Sequence, residues 1–588
     1  MLRLILGRAG SGKTRWVREE LCRLAKSGKS GLMLLVPEQY SFESERAMLR
    51  LLGAKDAQGV SVVSFTRMAD SIFHQYGGFC GRRLDDGGRS ILMSLALEQT
   101  GEHLPLYRRH ARTPELVRMM LDACAELKMC SVSPEDLSKA AEGMEDGTLK
   151  EKMTELSLVL SAYGALVAQS YLDPLDDLTR LRRLLEGRDF FRGRTVMIDS
   201  FKSFTAQEAA LIEIMLRQAD DVVMTLCADR LDDPEQGMGL FSLVRRTARE
   251  TIALARRNSV PVAPPVLLQS GARFRGKGLR ALEEGVYRPV RHPLREDTGD
   301  VVLYSAQSCY DEAEFAAASI RSLVMEQGYR YRDFAVLVRS PEHYRSNLDS
   351  ALERWEIPYF MDRPRDIDSE PLMHLVLCAF QAVRSGFRSD DVFACLKTGL
   401  AGLTAEEIPL LENYAFLWKV SGKKWLSPWT ENPRGFAGEC TDRDREELRK
   451  INALREKIVS PLSDFSKEVS GADGEKMALA VYRLLGRLET PRCLRELCAR
   501  LKKIGENELA DRQLRLWDML MGILDQTALV LKGKELPPAR FAELLRLAIA
   551  SGTIASIPQG LDEVTVGVAD RTRPAEPKVV FLLGAAQG

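Results

Sequence analysis

Short apolar runs punctuate the chain, and between them apolar positions recur at three- and four-residue spacing. Leu2 to Leu6 has strand length and ends in glycine, and Lys13 to Leu24 is helical in pattern and rich in charge. Further runs stand at Leu32 to Val36, Val60 to Val63, Val196 to Ile198 and Val222 to Leu226. Their uniform aliphatic character is that of parallel strands covered on both faces, where polar alternation has no place. From about Asp70 to Asp189 the period turns helical, as at Leu116, Met119, Met120 and Cys124, which predicts helices with one stripe facing a core.

A second set of runs, Val301 to Tyr304, Phe334 to Val338, Glu563 to Val568 and Val579 to Leu583, flanks a helical stretch from about Pro371 to Ala550. Tyr287 to Asp300, with Pro289 and Pro293 among several charges, reads as a linker. The expected fold class is α/β, with two sheet-based cores, each interrupted by a helical insertion. In residues, the first core takes 1–70 and 190–286 around an insertion at 71–189. The linker is 287–300, and the second core takes 301–370 and 551–588 around an insertion at 371–550.

Composition narrows this picture only slightly. A chain of 588 residues is too long for one hydrophobic core. Lysine plus arginine equals aspartate plus glutamate at 83 each, so any affinity for nucleic acid must come from local patches. No apolar run is long enough to span a bilayer and Met1 opens no signal-peptide pattern, so a cytoplasmic protein is expected. The 11 cysteines are scattered from Cys22 to Cys498 without a C-x-x-C, which reads as free, mostly buried thiols.

The sharpest chemical signal is Gly7-Arg8-Ala9-Gly10-Ser11-Gly12-Lys13-Thr14, which fits G-x-x-x-x-G-K-[ST] at every fixed position, between a strand and a helix. Glycines let backbone N–H groups curl around phosphates, Lys13 balances their charge, and the Thr14 hydroxyl can ligate Mg²⁺. ATP and Mg²⁺ are the expected ligands. A magnesium site of this kind needs a carboxylate at a neighbouring strand end, and Asp199, after Thr195-Val196-Met197-Ile198, is the candidate. The following position, where a glutamate would activate water, is Ser200. Glu208 is the alternative base, but Thr205-Ala206-Gln207-Glu208 also spells a capping box, the simpler role.

Arg339, ending the Phe334 to Val338 run, is placed to reach phosphates from a second core, or else is a surface arginine. Ser64-Phe65-Thr66-Arg67 offers an aromatic face for a base and a hydroxyl and cation for phosphate, though Phe65 reads equally as core. Arginine clusters at Arg108-Arg109-His110-Ala111-Arg112, Arg245-Arg246, Arg256-Arg257 and Arg273-Phe274-Arg275-Gly276-Lys277 can track a nucleic-acid backbone or form solvated faces.

Taken together, several segments resemble the AddB subunits of bacterial AddAB (RexAB-like) helicase-nucleases, over the whole chain. They are the loop at Gly7 to Thr14, Val36-Pro37-Glu38-Gln39-Tyr40-Ser41-Phe42, Ser64-Phe65-Thr66-Arg67 and Ile198-Asp199-Ser200-Phe201. Leu396-Lys397-Thr398-Gly399-Leu400, Leu411-Glu412-Asn413-Tyr414 and Asp562-Glu563-Val564-Thr565-Val566-Gly567 complete the set. The resemblance implies two RecA-like cores of the superfamily 1, UvrD-like kind. It further implies an AddA-like motor and nuclease subunit as partner, scanning of single-stranded DNA for Chi, action on duplex ends, and double-strand break repair. Family members end in a nuclease domain whose four cysteines hold an iron-sulfur cluster, to which nothing here corresponds. The chain stops at Gly588 after Val579 to Gly584, so either a truncation or an incomplete second core is expected.

Two further departures bear on turnover. Motor helicases place a histidine and a glycine-rich turn where this chain has Asp570-Arg571-Thr572-Arg573, of which Arg571 or Arg573 is a weak phosphate candidate. The six residues before Gly7 leave no room for an adenine-reading glutamine motif, so base recognition is expected to be loose or supplied elsewhere. The readings carried forward are an ATP-binding, DNA-binding subunit, an active translocase in its own right, and a P-loop enzyme of small molecules. The duplicated sheet pattern counts against the last.

Overall fold

A computed structural model of the chain describes residues 1–232, 237–269, 273–285, 293–361, 365–436, 440–554, 560–569, 572 and 577–585. They form two compact units: residues 1–85 with 92–302, and residues 86–91 with 303–588.

The strands of the first unit are β1 (Leu2–Leu6), β2 (Leu32–Leu35), β3 (Val60–Val63), β4 (Arg82–Arg83), β5 (Tyr171–Leu172), β6 (Thr195–Ile198), β7 (Asp221–Leu226) and β8 (Val266–Leu267). Six of them make a parallel sheet in the order β3-β2-β6-β7-β1-β8. Successive side chains of a strand enter opposite layers, which is why the runs are apolar throughout. Leu4 and Leu6 pack with Phe65, Ile72, Leu211 and Met215, whereas Ile5 packs with Val17 and Leu21 of the helix Lys13–Lys26.

Between β3 and β6 the chain is mostly helical, as its period predicts, with helices at Asp86–Thr100, Pro114–Met129, Pro134–Glu142, Thr148–Ala168 and Asp177–Leu185. The short parallel pair of β4 and β5 inside this stretch was not legible from the pattern. Leu116, Met120 and Cys124 are buried as expected, but Met119 points outward and is 49% exposed, so it does not belong to the apolar stripe.

The second unit carries β9 (Phe334–Val338), β10 (Tyr359–Met361), β11 (Arg365–Asp366), β12 (Thr553–Ile554), β13 (Val564–Val568) and β14 (Val579–Leu583). A parallel sheet runs β10-β13-β9-β14, and the helices Cys309–Gln327 and Pro341–Arg354 supply its main apolar cover. β14 is an outer strand, hydrogen-bonded to β9 alone among the described residues, with Val580 and Leu582 exposed. The antiparallel pair of β11 and β12 joins the chain before Pro371–Arg384 to the chain after Pro538–Ala550, bringing the two ends of the long helical stretch together.

One expected strand does not form. Val301 to Tyr304 is irregular and exposed, with Leu303 95% accessible. Among the described residues no neighbouring strand takes up its backbone groups, and Tyr304 instead stacks face to face on Phe315 at 3.7 Å. Of the linker expected at 287–300, residues 287–292 lie outside the described residues. Asp300 is tied back to the helix Lys277–Gly285, accepting from Gly278 N at 3.2 Å and Leu279 N at 3.0 Å. The first unit accordingly runs on to residue 302.

Candidate functional site

The loop between β1 and the helix Lys13–Lys26 doubles back on itself. Gly10 and Gly12 adopt φ of 72° and 89°, left-handed values that glycine alone takes without strain. A Cβ on Gly7 would stand 2.2 Å from Ser11 Oγ, and one on Gly10 would stand 2.8 Å from Arg273 Cβ and 3.1 Å from the Phe274 ring. Arg273 and Phe274 therefore lie directly over the loop. Ala9 is exposed at its tip. Lys13 Nζ donates to the carbonyls of Gly7 and Arg8 at 2.7 and 2.8 Å. The Ser11 hydroxyl is buried without a hydrogen-bond partner among the described residues, a state that normally marks a group awaiting a polar ligand.

Sheet order brings the carboxylate to this loop. β7 separates β1 from β6, yet Thr14 Oγ1 donates to Asp199 Oδ2 at 2.9 Å from the end of β6. Thr225 on β7 donates its hydroxyl to Asp199 Oδ1, and Ser200 Oγ donates to Oδ2 at 3.1 Å. Asp199 is 3% exposed, so hydroxyls from two strand ends and a helix hold a buried carboxylate in one orientation. Ser200, where a glutamate would activate water, sits at φ 71°, a left-handed conformation that costs an ordinary residue about 1 kcal/mol.

Glu208 is committed elsewhere. Its Oε2 accepts from Thr205 N at 2.8 Å while Thr205 Oγ1 accepts from Glu208 N at 3.2 Å, closing the capping box of the helix Ala206–Gln218. Burial pushes the Glu208 carboxyl above its usual range, against the opposing pull of the Thr205 hydrogen bonds.

Arg8 extends the site in a way the motif does not announce. Its Nε donates to Glu283 Oε1 at 2.9 Å and another guanidinium nitrogen to the Glu283 carbonyl at 2.5 Å. It also lies 3.9 Å from Asp229, which Arg245 holds at 2.7 Å, and both guanidinium groups face the Phe241 ring. Burial pushes the Asp229 carboxyl up, but the Arg245 hydrogen bond and charge outweigh it and leave it below the usual range. Arg245 is 2% exposed, so it belongs to this network and not to a backbone-tracking cluster, whereas Arg246, Arg256 and Arg257 are exposed.

The four residues expected to meet DNA divide. Phe65 is buried and packs edge-on against Phe201 at 5.7 Å and Phe204 at 6.5 Å, so its ring offers no stacking face. Ser64 is the buried N-cap of the helix Phe65–Tyr76, accepting from Arg67 N at 3.1 Å. Thr66 and Arg67 are exposed, and Arg67 pairs with Glu45 at 3.4 Å. Arg108, Arg109 and Arg112 are exposed around a shallow cavity of about 370 Å³ that Glu98 and Glu102 also line. Arg339 is exposed after β9 in the second unit, and Arg571 and Arg573 lie outside the described residues.

Thr225 and Phe274 were missed by sequence reasoning. Thr225 had a signal: a lone hydroxyl in the otherwise apolar end of Val222-Val223-Met224-Thr225-Leu226. Phe274 had none, because its distance from Gly10 along the chain hides the contact. The donor set as a whole fits a nucleoside triphosphate with its magnesium ion, held by Lys13, Ser11, Thr14 and Asp199.

Residues 4–283 match the family described as ADDB, N-terminal. The chain belongs to the AddB family. It is 30% identical over 596 aligned residues to the AddB subunit of the ATP-dependent helicase/deoxyribonuclease of Acetivibrio thermocellus, with 100% of this chain and 52% of that protein covered. The corresponding subunits from Caldanaerobacter subterraneus and Clostridium novyi are 31% and 30% identical, each with 100% of this chain and 51% of the relative covered. The chain thus spans about half the length of these AddB relatives.

Proposed function

We propose that this chain is the ATP-binding, single-stranded-DNA-binding part of a helicase-nuclease subunit, built on two RecA-like cores and acting with an AddA-like partner in double-strand break repair. The observation that carries the reading is the P-loop meeting a buried strand-end carboxylate, Thr14 on Asp199 at 2.9 Å. Relatives named as subunits of an ATP-dependent helicase/deoxyribonuclease support it. ATP bound here would supply binding energy that sets loop geometry. Lys13 would neutralise its phosphates, and Thr14 and Asp199 would hold Mg²⁺ directly or through water.

Ser200 in place of a glutamate, together with the engaged Glu208, favours binding over turnover. The exposed Thr66 and Arg67 remain candidates for phosphate contact. No described helix is long and apolar enough to cross a membrane, in keeping with a proposed cytoplasmic site of action.

The test uses the 588-residue chain with a fluorescent ATP analogue, with and without Mg²⁺, and its Lys13→Ala variant. Magnesium-dependent binding lost in the variant is expected, whereas equal binding by both overturns the site. Single-stranded oligonucleotides should bind with log K falling by about 0.7 per phosphate neutralised as log salt rises, and should stimulate little phosphate release. Strong DNA-stimulated hydrolysis, lost in Lys13→Ala, would replace this reading with that of an active translocase. Oligonucleotides with and without Chi, at one salt concentration, test the scanning role.

A further inference from the structure

Away from the P-loop, the second unit gathers a histidine and two thiols where the helices Pro371–Arg384 and Ser389–Leu396 pack together. His374 and Cys378 stand one turn apart on the first helix, with His374 Nδ1 3.0 Å from Cys378 Sγ. Cys395, on the second, has its sulfur in hydrogen-bond contact with that of Cys378, and lies 3.4 Å from the Asp391 carbonyl. The remaining charged groups facing the pair are Asp391 and, from the helix Pro538–Ala550, Arg546.

The two thiols are unlike. Contact with Cys395 holds the Cys378 thiol below its usual range against burial, with Arg546 assisting and Asp391 opposing. Contact with Cys378, then burial, pushes the Cys395 thiol well up. His374 is exposed and Cys378 sits just beneath it at 9% exposure, while Cys395 is 1% exposed. An outer thiol beside an imidazole and an inner thiol behind it is the arrangement of an attacking and a resolving cysteine.

We infer that Cys378 and Cys395 form an oxidisable dithiol that takes hydrogen peroxide or an alkyl hydroperoxide as oxidant, with His374 accepting the Cys378 proton. The Cys378 thiolate attacks one peroxide oxygen; the S–O bond forms, the O–O bond breaks, and the departing oxygen leaves as water or alcohol with the proton from His374. The Cys395 sulfur then attacks the resulting sulfenic acid; the S–S bond forms, the S–O bond breaks, and hydroxide leaves as water with the Cys395 proton. Two electrons pass from the sulfurs to the peroxide, and the product staples the two helices.

The experiment treats the folded 588-residue chain with limiting hydrogen peroxide, blocks remaining thiols by alkylation, and maps peptides by mass spectrometry. The exposed thiols Cys80, Cys130 and Cys440 serve as internal references. A cross-linked peptide pair lacking two hydrogens should appear at a rate at least about threefold above oxidation of those references. Cys395→Ser should trap a sulfenic acid on Cys378 that a cyclic dione captures. His374→Gln, at an exposed helix position, should shift the pH midpoint of the rate upward without altering the thermal midpoint. Oxidation of Cys80, Cys130 and Cys440 before Cys378, or an unchanged pH profile in His374→Gln, overturns the proposal.

Discussion

Asp199 accepts hydroxyls from Thr14, Ser200 and Thr225 while almost wholly buried, so its two oxygens do different work. Asp199→Asn keeps the shape but removes the charge. The expected outcome is an intact fold with nucleotide binding that no longer responds to Mg²⁺, read by titrating the metal at fixed ATP analogue. Asp199→Ala leaves the Thr225 hydroxyl without its buried acceptor, and urea unfolding should report a loss of about 1–3 kcal/mol. Arg8 makes a separate case. Its ties to Glu283 hold the helix Lys277–Gly285 against the P-loop, so Arg8→Ala should speed amide hydrogen exchange in residues 277–285 while leaving that in β6 unchanged.

At the scale of the element, caps decide more than propensity. Thr205→Ala removes the N-cap of Ala206–Gln218 and should cost about 1 kcal/mol, checked by urea unfolding, with Thr205→Ser restoring most of it. The helix Asp442–Val469 is capped in the same manner by Thr441 and Asp444. Hydrogen bonds from the Thr441 side chain and backbone hold the Asp444 carboxyl at about 2 against partial desolvation, with Arg434 adding to the effect. A lowered carboxyl stabilises the fold above the unfolded-state value near 3.9, and that contribution fades as pH falls towards about 2. Acid unfolding of Asp444→Asn should accordingly lose its steepness in that window.

Elements were legible where burial on both faces left no alternative: Leu2–Leu6, Val60–Val63, Phe334–Val338 and Val579–Leu583 coincide with the runs read from sequence. Val266–Leu267 was missed because an exposed edge strand of two residues carries no such signature. Val301 to Tyr304 misled for the opposite reason, since an apolar run says nothing about whether a strand is there to pair with it. In the candidate site, Lys13, Thr14 and Asp199 were readable from spacing, whereas Phe65 was ambiguous until Phe201 and Phe204 were seen to enclose it.

For the whole molecule, strand order was the missing information. Only the order β6-β7-β1 places Asp199 and Thr225 beside the P-loop, and no local pattern encodes it. The division into two units likewise keeps each helical stretch largely with its own sheet, a grouping that the change of period alone does not reveal. The outer strand β14 has a practical consequence. Its outer backbone groups and the outward Val580 and Leu582 form a ready template for another strand, so concentrated solutions of this polypeptide should stack edge to edge. Sedimentation velocity over a dilution series should show association that Leu582→Lys suppresses. Handling the isolated chain for crystals or spectroscopy then calls first for that lysine, before any change of salt or detergent.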